Sequence, residues 1–334
     1  MSGILLLSLG LSAGAATPSY HVSATLPLGG EGGWDYLTVD EAARRLYISR
    51  SSHVMVVDID ANTVVGDIPD TPGVHGIALA PDLHRGFTSN GKANTVTIFD
   101  LKTLQVLGHA KTGGNPDAIV YEPVTKRVFA FNGKSKDATV IDAATGTTLR
   151  TIPLGGKPEF ATTDGQGELY VNIEDTHELV TLDGRTMAVD HRWTLVPGEE
   201  PTGMGLDAAH HRAFSGCGNK MMTILDTDTG ILIGTVPIGD HVDGNGYDPG
   251  TGLAFSANGD GTLTVVGETS PGQFAAVATV PTAVGARTMA IDPRTHRIFL
   301  PAARYLPAAK ATTENPKPRP TMIKDSFVLL VVSP

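Results

Sequence analysis

Seven residues that could form one reactive or ligand-binding centre recur along the chain at intervals of 40 to 44 residues. Four are carboxylic acids, and the others are an imidazole, a hydroxyl and a guanidinium. They are Asp35, His75, Asp117, Glu159, Thr202, Asp243 and Arg287. Carboxylates that lie together repel one another unless a proton or a cation relieves them, so a shared location would attract positive charge.

One interpretation of these residues is a divalent metal site. The predicted ligands are the acidic and imidazole side chains Asp35, His75, Asp117, Glu159, His241 and Asp243. Mixed nitrogen and oxygen ligands suit zinc or manganese, whereas an all-oxygen subset suits calcium or magnesium. The ligands come from distant parts of the chain, so no local spacing identifies the metal.

A second interpretation is an enzyme, either a metal-dependent hydrolase or a lyase. The candidate catalytic residues are His75, Asp35, Asp243 and Arg287. A metal-bound water, a carboxylate or the imidazole would act as the base, and the guanidinium would stabilise developing negative charge. Lactones, esters and phosphoesters are the substrate classes that fit this chemistry. A third interpretation is a protein-interaction scaffold whose polar residues hold only water and salt bridges.

Loop residues next to these seven positions form a predicted outer tier of ligand contacts. The members are Glu31, Trp34, Arg50, Asn90, Asn132, Glu174, Asn258 and Arg304. Thr202, one of the seven recurring residues, is also predicted to contact the ligand. Cys217 occupies an equivalent place, where a lone cysteine serves packing more often than catalysis.

The elements that must position these residues are short strands in a repeated unit. An apolar strand ending in Asp recurs at residues 54–58, 96–100, 138–142, 179–183 and 222–226. The Asp side chain can accept backbone N–H bonds across the following turn, so we assign these acids a structural role.

A period of about 42 residues with four short strands per unit predicts a β-propeller blade. Seven units predict an all-β, seven-bladed propeller of four-stranded antiparallel blades, formed by residues 20–334 as a single domain. The last unit lacks an outer strand, which residues 21–28 are predicted to supply, leaving no unpaired radial edge. Equivalent strand starts would then meet at one mouth of the central channel. Residues 303–324 are predicted to form an irregular insertion in blade 7.

The repeated blocks resemble those of YVTN-repeat propellers, a family that includes surface-layer-type and periplasmic proteins. The sequences Leu-Tyr-Ile-Ser-Arg at 46–50 and Leu-Tyr-Val-Asn at 169–172 are similar to the motif that names the family. The resemblance covers roughly residues 20–334 and implies a fold rather than an activity, because propellers host unrelated functions. No catalytic motif of the family's lactonase or lyase neighbours matches named residues of this chain.

The composition of the chain limits the kinds of partner and cofactor that we expect. The net charge of -10, from 35 acidic and 25 basic residues, disfavours nucleic-acid binding. Cys217 is the single cysteine, which excludes an intrachain disulfide. The sequence contains no dinucleotide fingerprint and no P-loop, so no organic cofactor is indicated. We therefore expect a small-molecule ligand or substrate, and a monomer, because a closed ring has no edge that needs a partner.

The N-terminal residues 1–16 are predicted to be a signal-peptide remnant. Residues 4–16 are apolar or small, and Ala-Gly-Ala at 13–15 provides a small-x-small cleavage pattern, although no Lys or Arg precedes them. This segment is too short to span a bilayer. The mature protein is therefore expected to be periplasmic or secreted, without a membrane span.

Overall fold

The chain folds as a succession of short strands, β1 to β28, in a computed structural model that describes residues 19–307, 312 and 320–334. The predicted signal peptide and half of the predicted insertion lie outside the described residues. The first fourteen strands are β1 (His21–Pro27), β2 (Leu37–Asp40), β3 (Arg45–Arg50), β4 (His53–Asp58), β5 (Thr63–Ile68), β6 (Val74–Ala80), β7 (Arg85–Asn90), β8 (Thr95–Asp100), β9 (Val106–Lys111), β10 (Pro116–Glu122), β11 (Arg127–Asn132), β12 (Asp137–Asp142), β13 (Thr148–Pro153) and β14 (Pro158–Thr163). The next fourteen are β15 (Glu168–Ile173), β16 (Glu178–Asp183), β17 (Ala188–Thr194), β18 (Pro201–Asp207), β19 (Arg212–Cys217), β20 (Met221–Asp226), β21 (Leu232–Pro237), β22 (Val242–Asp248), β23 (Leu253–Asn258), β24 (Thr262–Ser270), β25 (Gln273–Pro281), β26 (Ala290–Asp292), β27 (Arg297–Ala302) and β28 (Val328–Ser333).

The strands form seven four-stranded antiparallel sheets, which are the blades of a propeller. Blades 1 to 6 each use four consecutive strands, from β2–β5 in blade 1 to β22–β25 in blade 6. Blade 7 has the order β26-β27-β28-β1, and β1 pairs with β28 from His21 opposite Ser333 to Pro27 opposite Val328. The predicted fold and its closure by the N-terminal strand are confirmed. Among the described residues, no helix has the length and apolar character needed to cross a bilayer.

The first strand of each blade lines the central channel. Each of these seven strands contacts the first strands of both neighbouring blades, which closes the ring. Two glycines permit the closest approach, between blades 5 and 6. A Cβ at Gly203 would lie 2.4 Å from the Asn245 nitrogen, and one at Gly205 would lie 2.6 Å from the Gly246 carbonyl carbon. Glycine is therefore required where these backbones meet.

The hydrophobic core lies between blades rather than inside any one of them. In β11, Phe129 and Phe131 pack towards blade 4, whereas Val128 and Ala130 pack towards blade 2. Successive residues of a strand point to opposite faces, so an uninterrupted apolar run can serve two interfaces at once. Each blade is held by its neighbours, and the position of every channel-lining strand depends on the whole ring.

The Asp residues that end the repeated apolar strands have the predicted structural role. The Asp58 carboxylate accepts the backbone N–H groups of Asp60 at 2.9 Å and Ala61 at 2.7 Å. Asp226 makes the same pair of bonds with Asp228 at 3.0 Å and Thr229 at 2.8 Å. These acids stabilise turns between the third and fourth strands and are not available for chemistry.

Two channel strands begin later than the sequence indicated. The repeat interval predicts their starts at Asp35 and Arg287, but β2 begins at Leu37 and β26 at Ala290. The Asp35 N–H donates to the Ser49 hydroxyl at 3.0 Å rather than to a strand ladder. The Arg287 carbonyl accepts the N–H of Gly244 in blade 6 at 2.7 Å. Competing hydrogen bonds therefore take the place of regular pairing at these two ends.

Removal of residues 1–27 tests the ring closure. It deletes β1 and exposes the edge of β28, together with apolar side chains against which Ala24 and Leu26 pack. We expect a loss of about 3 kcal/mol or more of unfolding free energy, because both pairing and burial are lost. Urea unfolding measures this, with a deletion of residues 1–18 as the control. Equal stability of the two truncated proteins would contradict the proposed closure.

Candidate functional site

The seven positions singled out in the sequence, hereafter the ring residues, lie at one mouth of the channel. In blades 2 to 6 the ring residue is the second residue of the first strand, as His75 is in β6. Strand pairing changes register at this point in each of these five blades, for example between Val74 and Ile77. Such irregularities release a residue from the ladder and redirect its side chain. The register shifts therefore supply the local means of placing side chains in the channel.

A cavity of about 220 Å³ lies inside the ring. Its lining includes the ring residues Asp35, Asp117, Glu159, Thr202 and Asp243. The other two ring residues contact members of this lining, since His75 bonds to Asp35 and the Arg287 guanidinium lies 3.1 Å from Asp243. The structure thus brings side chains from seven distant positions to one centre.

Three ring residues form a compact group of metal-ligand type. His75 Nδ1 lies 2.6 Å from an Asp35 carboxylate oxygen and 3.7 Å from one of Asp117. One ligand atom from each residue lies within 4.8 Å of the others. Their side chains are 28, 27 and 13% exposed, in the order His75, Asp35, Asp117. Within the part of the chain that the structure describes, no other trio of His, Cys, Asp or Glu meets this criterion.

Burial and crowding shift the pKa values of the ring towards protonated forms. Burial lowers the pKa of His75, but its hydrogen bond with Asp35 and the charges of Asp117 and Glu159 outweigh this and raise it to about 9. Burial and the neighbouring carboxylates hold the pKa of Asp117 well above its usual range, despite the opposing charge of His75. Burial also raises the pKa of Asp243 to about 7, against the effect of Arg287. The ring environment therefore favours the protonated forms of Asp117 and Asp243 relative to carboxylic acids in water.

A lysine of blade 4 lies beside these groups. Lys157 Nζ lies 2.8 Å from the Glu159 carboxylate and also bonds to Glu174. Burial raises the pKa of Glu159, and the ammonium of Lys157 opposes that shift. The sequence predicted Glu174 as a contact residue but missed Lys157, which precedes its ring residue by two positions. The analogous places in other blades carry unlike residues, so the repeat gave no signal for it.

Two aromatic residues inside the ring were also missed. The Tyr36 hydroxyl donates to the Glu159 carbonyl at 2.6 Å, which joins blade 1 to blade 4 across the channel. The Tyr36 ring stacks on Phe160 with centroids 5.7 Å apart. Burial, with the surrounding carboxylates, raises the pKa of Tyr36 well above its usual value. Each residue directly follows a ring residue, and that adjacency is the signal that could have identified them.

Most of the predicted outer tier does not face the cavity. Asn90, Asn132 and Asn258 are buried, and each donates from its amide nitrogen to a threonine hydroxyl in the next strand of its own blade. Their role is to join strands, and Cys217 occupies the same place in blade 5, buried beside Thr223. The expected contact between these asparagines and a ligand is therefore not supported by their placement.

Arg50 is a second correction to the outer tier. Its guanidinium is fully buried and donates to the carbonyls of Gly29, Glu31 and Gly32 at 3.0 to 3.3 Å. It also lies 3.7 Å above the centroid of the Phe327 ring. All of its directed contacts are within the protein, because this cation fastens the N-terminal loop to the C-terminal segment.

The remaining predicted residues lie outside the central group. The imidazole of His241 is 77% exposed and 3.7 Å from Asp240. Of the six predicted metal ligands, Asp35, His75 and Asp117 form the compact group. Trp34 packs against Phe327 with centroids 5.3 Å apart, and Arg304 is exposed. Glu31 is also exposed, and its carbonyl is bonded by Arg50. Neither Trp34, Glu31 nor Arg304 lines the cavity.

Comparisons with solved structures agree with the architecture. The chain is similar to a chain of hydrazine synthase from Kuenenia stuttgartiensis, with a TM-score of 0.70 and 15% identity over 94% of this chain and 99% of that one. It is also similar to U3-55K, with a TM-score of 0.75 and 9% identity over 93% and 99% of the two chains. At these identities the similarity shows the seven-bladed propeller fold alone. No protein-family model and no curated protein matches the chain.

The role of Arg50 is testable by Arg50→Met. The variant leaves three loop carbonyls without their donor in a buried place, which we expect to cost about 3 kcal/mol of unfolding free energy. Chemical denaturation measures this loss. Full stability combined with impaired ligand binding would contradict the structural role and restore Arg50 as a contact residue.

Gly91→Ala tests the environment of His75. A Cβ at this position would lie 2.7 Å from His75 Nε2 and 2.7 Å from the Asn115 side-chain oxygen. We expect the His75 imidazole to be displaced from Asp35 and its pKa to fall from about 9 towards 6.5. NMR titration of the imidazole would measure this fall. Because the folded-state pKa is raised, the stability from His75 is present below pH 6.5 and lost as the pH rises through 9. Between pH 6.5 and pH 9 the Gly91→Ala variant should therefore lose less unfolding free energy than the unsubstituted protein.

Gly133→Ala is the matched control, since a Cβ at this equivalent place in blade 3 meets nothing closer than 3.6 Å. An unchanged His75 pKa in Gly91→Ala would show that close packing at this glycine does not hold the imidazole against Asp35.

Proposed function

We propose that the chain is an exported propeller of the YVTN-repeat type that binds a small cationic ligand, in the first instance a divalent metal ion, at the mouth of its channel. The observation that carries this proposal is the group of Asp35, His75 and Asp117, whose ligand atoms lie within 4.8 Å of one another in a part-buried ring. The family and the exported location rest on the repeated strand–turn blocks and on residues 1–16.

The charge balance of the mouth supports cation binding. Its carboxylates are Asp35, Asp117, Glu159, Glu174 and Asp243, and its basic groups are His75, Lys157 and Arg287. Full ionisation would leave two negative charges without a partner. Two protons can balance them, as the raised pKa values of Asp117 and Asp243 indicate, and so can one divalent cation.

The ligand types favour zinc or manganese among divalent metals, because an imidazole nitrogen and two carboxylates suit both ions. His75 would coordinate through Nδ1, the nitrogen that faces both carboxylates. That nitrogen carries a proton up to a pH of about 9 in the free protein, so metal binding must displace it.

A metal-assisted hydrolase or lyase at the same mouth is the second candidate. The observation in its favour is Asp243, because a carboxyl group with a pKa of about 7 can exchange protons at neutral pH. The raised pKa of His75 argues against that imidazole as the base in the free protein, since it is protonated at neutral pH. Arg287 retains its proposed role beside Asp243, to which it is paired at 3.1 Å.

Titration calorimetry with manganese and zinc tests the proposal. We expect one ion per chain, with affinity that rises as the pH increases from 6 to 8 because protons are displaced from the ring. Asp117→Asn should weaken binding by about tenfold or more, since it removes a charged ligand. Asp190→Asn, a neutralisation of a side chain that is 57% exposed on the outer blade edge, is the control.

The absence of binding at millimolar metal and pH 8 would contradict a metal site. Equal weakening by Asp117→Asn and Asp190→Asn would show that the ions bind through the general acidity of the surface. Turnover of a lactone, ester or phosphoester would favour the enzyme over a binding protein, provided that Asp243→Asn abolishes the turnover and leaves the fold unchanged.

A further inference from the structure

The cavity inside the ring is larger than a metal ion needs. Its volume of about 220 Å³ exceeds the roughly 150 Å³ of an engineered cavity that binds benzene. It therefore has room for a six-membered ring with a short side chain. Part of the lining is apolar and is formed by Leu37, Ile77, Ile119, Phe160 and Met289. A bare ion would leave this apolar part of the cavity unused.

The aromatic pair adds a preference for positive charge. Tyr36 and Phe160 both line the cavity and stack at a centroid distance of 5.7 Å with an interplanar angle of 21°. Tyr36 is held in place by its bond to the Glu159 carbonyl. Faces of aromatic rings attract cations, and the attraction is larger where water is excluded. These rings lie next to the carboxylates, so polar and aromatic recognition of a cation coincide.

An unpartnered hydroxyl beside the same cavity is a second observation that points to a ligand. Thr288 lines the cavity, is 7% exposed, and its hydroxyl has no hydrogen-bond partner among the residues that the structure describes. By contrast, the hydroxyl of Thr202 reaches two carbonyls at 3.4 Å. A buried polar group without a partner is unfavourable, and a ligand N–H would satisfy this one after the Thr288 side chain rotates about χ1 to present its hydroxyl to the cavity.

We infer that the cavity binds a small organic cation, which consists of a primary ammonium group on an apolar body about the size of one six-membered ring. This inference rests on the proposed function, because it assigns a ligand class to the same ring. The ammonium donates to the unbalanced carboxylates and to Thr288, while the apolar body lies along Phe160. The fully ionised mouth has two uncompensated negative charges. An anionic ligand would add a third, and a neutral ligand would leave both uncompensated.

Calorimetry with 2-phenylethylammonium chloride is the direct test, with 2-phenylethanol as the neutral isostere and manganese in a parallel titration. We expect the amine to bind one to one, the alcohol to bind at least tenfold more weakly, and the amine to compete with manganese. Asp243→Asn should weaken amine binding at least tenfold, because hydrogen bonds to charged groups are the strongest. Asp190→Asn should leave it unchanged.

Thr288→Val is a milder, nearly isosteric variant that keeps every charge of the ring. It should weaken amine binding severalfold and leave manganese affinity unchanged, because the hydroxyl is not among the three metal-ligand residues. This variant also keeps the test decisive if Asp243→Asn does not fold.

Equal affinity for the alcohol and the amine would overturn the inference, since the cavity would then select apolar size alone. Amine binding that neither Asp243→Asn nor Thr288→Val affects would overturn it as well, because the ligand would lie elsewhere. Manganese binding without amine binding would contradict the organic-cation inference but not the proposed metal binding. The absence of binding in both titrations would contradict both.

Discussion

Mutual repulsion among carboxylates that the ring geometry forces together is the interaction on which the rest of this site depends. Each first strand is held by two neighbouring blades, so Asp35, Asp117, Glu159 and Asp243 cannot separate without opening the propeller. Burial strengthens their interaction because the surroundings screen charge less than water does. His75, Lys157 and Arg287 partly neutralise these carboxylates. The raised pKa values of Asp117 and Asp243 favour protonation, which reduces the repulsion further.

This arrangement links the stability of the fold to the occupancy of the site. Groups with raised pKa values bind more protons in the folded chain than in the unfolded one, so the stability they confer decreases as the pH rises. A bound cation replaces those protons and stabilises the folded state in proportion to its concentration and affinity. Asp117, with its strongly raised pKa, lies in the group that would exchange protons for a metal.

The sequence was sufficient for the architecture because each blade repeats the same local chemistry. The turn aspartates such as Asp58 and Asp226, the interval between equivalent positions, and the complementary strand at residues 21–28 all indicated the ring. Convergence of the ring residues followed from that ring. Equivalent residues in successive blades must meet at one mouth of a closed channel.

The outer tier was not predictable in the same way, because repeat position does not say whether a side chain turns inward or outward. Asn90 satisfies its amide inside its own blade, and Arg50 satisfies its guanidinium on loop carbonyls. His241 remains exposed although a ring residue follows it by two positions. Tyr36 acts across blades, and such a contact depends on a distance between strands that a sequence does not contain.

Anomalous scattering from crystals equilibrated with manganese would test most directly whether the ring concentrates positive charge. We expect a single strong peak between the Asp35 and Asp117 carboxylates and His75 Nδ1, with the peak lost in Asp117→Asn. Crystals that show no peak at the channel mouth, while manganese scatters only from exposed acids on the outer blades, would contradict a functional role for the ring.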